Sequence, residues 1–152
     1  MATYELLKLP SMWGLERLEL SPMCGQELLA FLNRWQIRED LAHLALELGE
    51  CYLRTVGSTL FIISGYRTFD EQARLILQGR PAADPSVSNH TVLPALAFDI
   101  ASDPVPTKSQ KQYLGQCARC IGLRWGGGSP FDEDGIPSDW AHFDLGPRSA
   151  NQ

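Results

Sequence analysis

"TLFIISGYRTFDEQARLILQG", residues 59–79, sets the grammar of this chain. Thr59–Ser64 is a short apolar run rich in β-branched residues, which reads as a buried strand. "GYRT" then turns the chain. Thr68 and Glu71 have the spacing of a capping box, in which side chain and backbone satisfy each other at a helix start. "FDEQARLILQG" is the helix they open, with Gly79 and Pro81 as its stop. A strand followed closely by a capped helix is the unit from which the rest can be read.

Working toward the N-terminus, "REDLAHLALELGECYLRTVG" reads as a helix. Leu41, Leu44, Ala45, Leu48, Tyr52 and Val56 recur at helical spacing, and Gly57 terminates it. His43 lies on this helix without a partner motif and is read as a surface or structural residue. Before it, "SPMCGQELLAFLNRW" predicts another helix, with Ser21 as N-cap, Pro22 in the first turn and an apolar face of Leu28, Leu29, Leu32 and Trp35. Toward the C-terminus, "RPAADPSVSN" is a loop and "LAFDIA" a second strand. Thr107 and Gln110 form another capping-box pair, opening "KSQKQYLGQCARCIG" with Gly122 as the stop. "LRWGG" is a short strand, "GGSPFDEDGIPSD" a loop, "WAHFDL" a last strand and "GPRSANQ" a frayed tail. Helices come first and strands cluster later with short connections. The expectation is therefore one small α+β domain, with N-terminal helices packed on a mainly antiparallel sheet. Residues 1–57 form its helical part, 58–146 its core and 147–152 its tail.

Composition narrows the function. The chain has 152 residues, 44% apolar and 20% charged, with a net charge of −5. That suits one ordinary globular domain. No basic block or Arg/Lys-rich helix is present, so nucleic acid is not an expected partner. The acidic balance gives no pull toward anionic membranes or wall polymers. The first twenty residues carry Glu5 and Glu16 and no long apolar run, so neither a secretory signal nor a membrane-inserting segment is expected. On that basis Cys24, Cys51, Cys117 and Cys120 are expected to be thiols. "CARC", residues 117–120, is a lone CxxC inside a helical stretch. Helix packing explains it better than a redox pair or half a zinc site. "DED" at 132–134 lacks the EF-hand pattern and reads as a solvated loop.

One residue does not fit a bland reading. Asp99 sits inside "LAFDI", among apolar neighbours, and a buried carboxylate is costly unless paired or bound to a metal. His90 precedes that strand and His142 lies in the last one. Two neutral imidazoles and one carboxylate make a suitable set of zinc ligands, with a fourth position left for water. Taken singly, each histidine also fits a structural role, His90 bonded to loop backbone and His142 packed on the sheet.

"SGYRT" (64–68), "SNH" (88–90), "AFD" (97–99), "RWGG" (124–127) and "DWAHF" (139–143) occur in one order. This series resembles the M15 family of zinc peptidases, D,D-carboxypeptidases, D,D-dipeptidases and phage endolysins that cut peptidoglycan peptides. The resemblance spans about residues 59–145. It departs from the family pattern in one place, since "TVLPALAF" puts eight residues between His90 and Asp99 where the family usually has six. The resemblance implies an M15/hedgehog-like fold and one zinc ion per chain, held by His90, Asp99 and His142. It further implies Asp139 as general base and Arg67 as a catalytic residue contacting substrate and steadying developing negative charge. Ser88 would support the first ligand, with Tyr66 and Trp140 beside the site. A surface ion pair with Asp70 or Glu71 is the alternative for Arg67, while Trp125 and Trp140 either fill the core, the preferred reading, or line the cleft. Strand alternation puts Asp144 on the same face as His142, where it competes for the base role, orients His142 or caps the strand end.

The function implied is hydrolysis of peptidoglycan stem peptides by a phage or prophage lytic enzyme. Such a protein would be made in the host cytoplasm and act on the wall after release or within a virion, beside other lysis or virion proteins. The alternative is an inactive M15-like module with a structural or wall-binding role.

Overall fold

The computed structural model describes residues 7–8, 16–80, 82–85 and 87–147. The tail beyond residue 147, Pro81 and most of the first fifteen residues lie outside that set. The elements in chain order are β1 (Leu7–Lys8), β2 (Glu16–Glu19), α1 (Gln26–Trp35), α2 (Glu39–Val56), β3 (Leu60–Ser64), α3 (Phe69–Leu77), β4 (Ala97–Ser102), α4 (Lys108–Ile121), β5 (Arg124–Trp125) and β6 (His142–Asp144). The strands form one antiparallel sheet in the order β1-β2-β3-β4-β6-β5. The α+β class expected from the sequence is the class observed.

The sheet has two chemically different faces. Phe98, Ile100, Trp125 and Phe143 are buried in the apolar core, with Phe98 and Phe143 stacked at 5.6 Å. Leu41, Ala45, Leu48 and Tyr52 of α2 and Leu114 and Ala118 of α4 belong to the same core. The alternate positions Asp99, Arg124, His142 and Asp144 line a cavity on the opposite side. Period-two alternation thus separates stabilising residues from polar ones within the same three strands.

Both capping boxes are present. The Thr68 hydroxyl accepts from the Glu71 amide and the Thr107 hydroxyl from the Gln110 amide, with the reciprocal bonds in place. Gly57 and Gly122 end their helices in the left-handed conformation.

Several expectations are corrected. Residues 1–57 are not wholly helical, because β1 and β2 lie within them. β2 extends the sheet by pairing Leu18 with Ile62. "RLEL", residues 17–20, carried the sign: Leu18 and Leu20 are buried and Glu19 between them is exposed. The first helix starts at Gln26 with Gly25 as N-cap, not at Ser21. The Leu20 amide still donates to the Leu60 carbonyl at 2.8 Å, so the chain leaves the sheet too late for Ser21 to cap. Finally, Cys51 and Cys117 are not free thiols but a disulfide joining α2 to α4. The helices pack side by side and bring the two Cα atoms within 6.3 Å across 66 residues of sequence. A loop of that length gives about 4 kcal/mol in the chain-entropy picture. Cys24 and Cys120 are free and exposed.

The last strand is shorter than "WAHFDL" suggests. Residues 138–141 form a turn and only His142–Asp144 pair. Among the described residues, no helix is long and apolar enough to cross a membrane.

Candidate metal centre

Asp99 and His142 are direct cross-strand partners on β4 and β6, so their side chains rise from the same face of the sheet. The register of β3 against β4 shifts between Ile62 and Ser64. That bulge places Ser64 opposite Asp99 and re-aims the "GYR" turn toward it.

His90 reaches the same point from the loop, and its backbone is fixed at several places. Its carbonyl accepts from the Arg67 amide at 2.8 Å, and its amide donates to the Ser88 hydroxyl at 3.1 Å. Next to it, the Leu96 amide donates to the Asn89 carbonyl at 2.9 Å, closing the loop. The segment between His90 and Asp99 is anchored there. Ala95 bonds both ways to the α1–α2 connection, its amide to the Gln36 carbonyl and its carbonyl to the Arg38 amide. Leu93 is pushed outward and exposed.

Three donor atoms converge. His90 Nε2 lies 3.3 Å from His142 Nδ1. Asp99 Oδ1 lies 3.4 Å from His90 Nε2 and 3.2 Å from His142 Nδ1. A tetrahedral ion with bonds of about 2.05 Å separates its ligands by about 3.3 Å, so this triangle has the size zinc requires. The tautomers fit as well. His90 Nδ1 donates to the Gly65 carbonyl at 2.7 Å, and His142 Nε2 donates to Asp144 Oδ2 at 2.7 Å. In its neutral form each ring then has its other nitrogen free to offer a lone pair to the triangle. His90, Asp99 and His142 form a group able to hold a metal ion.

Gly65 must lack a side chain for this arrangement, because a Cβ there would collide with the Trp35 carbonyl. The close packing brings the Gly65 carbonyl to His90.

The charges around the triangle are arranged in layers. Burial works against an ionised Asp99, but His90, Arg67 and His142 hold it well below the usual carboxylate range. Without a metal, burial lowers the His142 pKa, yet hydrogen bonds to Asp144 and Asp99 outweigh that and push it up to about 10. Asp144 is fully buried. Burial would raise its pKa, but its bonds to His142 and Arg124 bring it down to about 2. Arg124 grips it with two nitrogens, at 2.7 and 2.8 Å, and the Gly146 amide adds a bond of 2.8 Å. Asp144 therefore holds the His142 ring and also caps the strand end through the Gly146 amide, two of the roles open to it in the sequence.

Asp139 also lines the cavity, and its carboxyl pKa is raised by burial and by the Asp99 charge. It sits in the turn before β6, where its carbonyl accepts from the His142 amide at 3.1 Å. Arg67 lines the cavity too, and it is not paired with Asp70 or Glu71. Its guanidinium binds Asp99 Oδ2, the Ser64 hydroxyl at 3.0 Å and the Gln72 side-chain oxygen at 3.1 Å. Ser88 is buried, its hydroxyl accepting from the His90 amide. Tyr66 and Trp140 are not among the cavity-lining residues and instead pack on the hydrophobic core. Trp125 is buried in that core, its indole N–H donating to the Trp140 carbonyl at 2.7 Å.

Two supporting residues escaped the sequence reading. Arg124 was legible only as part of "RWGG", and nothing local shows that it grips Asp144. Gln72 is 1% exposed, binding Arg67 through its oxygen and the Ala83 carbonyl through its nitrogen at 2.8 Å. A buried glutamine on a helix face was the available signal, but its partners are distant in sequence.

The cavity over the triangle has a volume of about 510 Å³. Arg67, Gln72, Asp139 and the Gly126–Gly128 turn contribute to its wall. That volume suits a small ligand or a few residues of peptide.

No protein-family model matches the chain, and no curated protein matches it. Among solved structures, the crystal structure of an L-Ala D-Glu endopeptidase, ChiX, from Serratia marcescens is similar to it. The two share 21% identity at a TM-score of 0.48, over 72% of this chain and 80% of that chain.

Proposed function

We propose that the chain is a zinc metallopeptidase of the M15 kind that hydrolyses peptide bonds in bacterial peptidoglycan. We place it as a phage or prophage lytic enzyme, made in the host cytoplasm and reaching the wall after release or within a virion. One observation carries the chemistry: His90, Asp99 and His142 hold three donor atoms 3.2 to 3.4 Å apart, and each histidine has its tautomer fixed by a partner behind it.

Zinc, when bound, supplies Lewis acidity that polarises a peptide carbonyl and makes water a stronger acid. The remaining tasks fall to this chain's own groups. Asp139 has a carboxyl whose affinity for protons is raised by burial and by Asp99. That suits a base that takes a proton from attacking water and returns it to the leaving nitrogen. Arg67 holds the outer oxygen of Asp99, leaving Oδ1 toward the histidines. It also lines the cavity, where its uncommitted N–H groups can meet negative charge developing on the substrate. The substrate class is the stem peptide of peptidoglycan, entering the cavity beside the triangle.

The test is digestion of purified muropeptides by the zinc-loaded protein, read by mass spectrometry. The expected result is two new peptide fragments whose masses sum to the parent plus one water, abolished by a chelator. Intact muropeptides in the presence of fully zinc-loaded protein would contradict a peptidase and leave a wall-binding module.

A further inference from the structure

We propose that Gly127 is a positioning residue for His142: the missing side chain at this point lets the imidazole stand where its Nδ1 faces Asp99 and His90. This rests on the metal-site reading of the triangle. Gly127 lies in the turn after β5 with φ 62° and ψ 25°. A Cβ there would lie 2.6 Å from Cδ2 of His142 and 2.9 Å from its Nε2, well inside van der Waals contact. Its neighbours do not share this contact. At Gly126 a Cβ would meet Pro137, and at Gly128 it would lie 3.4 Å from Arg124 Nη1, an ordinary distance.

The ring has little freedom to retreat. Its Nε2 is tied to Asp144 at 2.7 Å. Asp144 is in turn fixed by Arg124 and by the Gly146 amide. On its other edge, Nδ1 lies 3.2 Å from Asp99 and 3.3 Å from His90. A methyl group at Gly127 would press on the Cδ2–Nε2 edge, tilt the ring, stretch its bond to Asp144 and mis-aim Nδ1. Disturbing the support of a metal ligand usually costs 10- to 100-fold in metal affinity.

Backbone strain has to be separated from this contact, and the chain provides the control. Gly135 has φ 75°, also in the left-handed region, but a Cβ there meets nothing within 4 Å. Gly135→Ala carries comparable strain and no collision. The experiment compares wild type, Gly127→Ala and Gly135→Ala for zinc affinity and for the visible spectrum of bound cobalt(II), with folding followed by circular dichroism. The expected result is a folded Gly127→Ala protein with zinc affinity lowered about 10- to 100-fold and an altered cobalt spectrum, while Gly135→Ala binds like wild type. Wild-type affinity and spectrum in Gly127→Ala would overturn the proposal, as would an equal loss in Gly135→Ala.

If Gly127→Ala does not fold, the His142→Ala background decides. With the ring gone, adding Gly127→Ala should cost no more thermal stability than Gly135→Ala does. A double variant as impaired as Gly127→Ala itself would locate the damage in the backbone and overturn the proposal. This arm needs no metal. A wild-type protein that binds no zinc overturns the metal-site reading and the proposal with it, whereas zinc-binding wild type with an unaffected Gly127→Ala overturns the proposal alone.

Discussion

His90 and His142 face the same point but are held by opposite means. His90 leans on main chain: its Nδ1 meets the Gly65 carbonyl, and its own amide and carbonyl are tied to Ser88 and Arg67. His142 leans on charge: its Nε2 meets a fully buried carboxylate, which is neutralised by Arg124. A backbone carbonyl cannot be mutated away and does not titrate. A buried carboxylate can be removed by one substitution and responds to pH. The difference teaches that one histidine is held by the main chain of the fold and the other by an ion network. Side-chain changes outside the triangle should therefore be felt mostly at His142.

The largest expected effect lies outside this asymmetry and calibrates it. Asp139→Asn removes the proposed base and leaves both histidines and their holders in place. It should bind zinc and fold normally, yet lose about 10²- to 10⁴-fold in turnover on muropeptides. If Asp139→Asn stays active while Asp144→Asn is dead with zinc bound, the base is Asp144, and the two histidines differ in catalysis as well as in support.

Asp144→Asn is the direct attack on the charged side. An amide in that place weakens the bond to His142 and leaves Arg124 without its buried partner, so zinc affinity should fall about 10- to 100-fold. Competition titration with a chromogenic chelator reads the change. Ser88→Ala is the matching attack on the main-chain side, where His90 Nδ1 still has the Gly65 carbonyl. It should change zinc affinity less than threefold. Equal losses in the two variants would erase the distinction.

The remaining expected effect is on pH dependence. In the metal-free protein the His142–Asp144 pair is one interaction seen from two ends. Asp144 has a folded pKa depressed to about 2, so its contribution is present above the unfolded value near 4 and is lost as pH falls through about 2. His142 has a folded pKa raised to about 10, so its contribution is full below about 6.5 and is lost as pH rises through about 10. Thermal melts in chelator should show a plateau between about pH 4 and 6.5, sloping down on either side. His142→Ala should flatten the alkaline slope. An alkaline slope unchanged in that variant would place its origin elsewhere.

The parts of the molecule set by local rules were readable in advance. The capping boxes at Thr68 and Thr107, the glycine stops at 57 and 122 and the strand at 60–64 depend on neighbours in sequence. The anomaly of Asp99 was readable because its apolar neighbours in sequence mark a carboxylate that needs a partner, although the partners themselves, Arg67 and His142, are distant in sequence. Asp144 could be placed by alternation alone. What stayed hidden depends on distant pairing. The disulfide joins residues 66 apart. β2 belongs to the sheet through its register with β3. Arg124 acquires its role because β5 sets it opposite Asp144. Gln72 acquires its role because a β-bulge brings Arg67 within reach of its helix.

The central claim is that His90, Asp99 and His142 together hold one zinc ion, and metal content measures it most directly. Purified wild-type protein, loaded with zinc and dialysed, should carry one zinc per chain, and His90→Ala, Asp99→Ala and His142→Ala should each carry none while remaining folded enough to be measured. A wild-type chain without zinc, or a His90→Ala chain that keeps its full complement, would contradict the account.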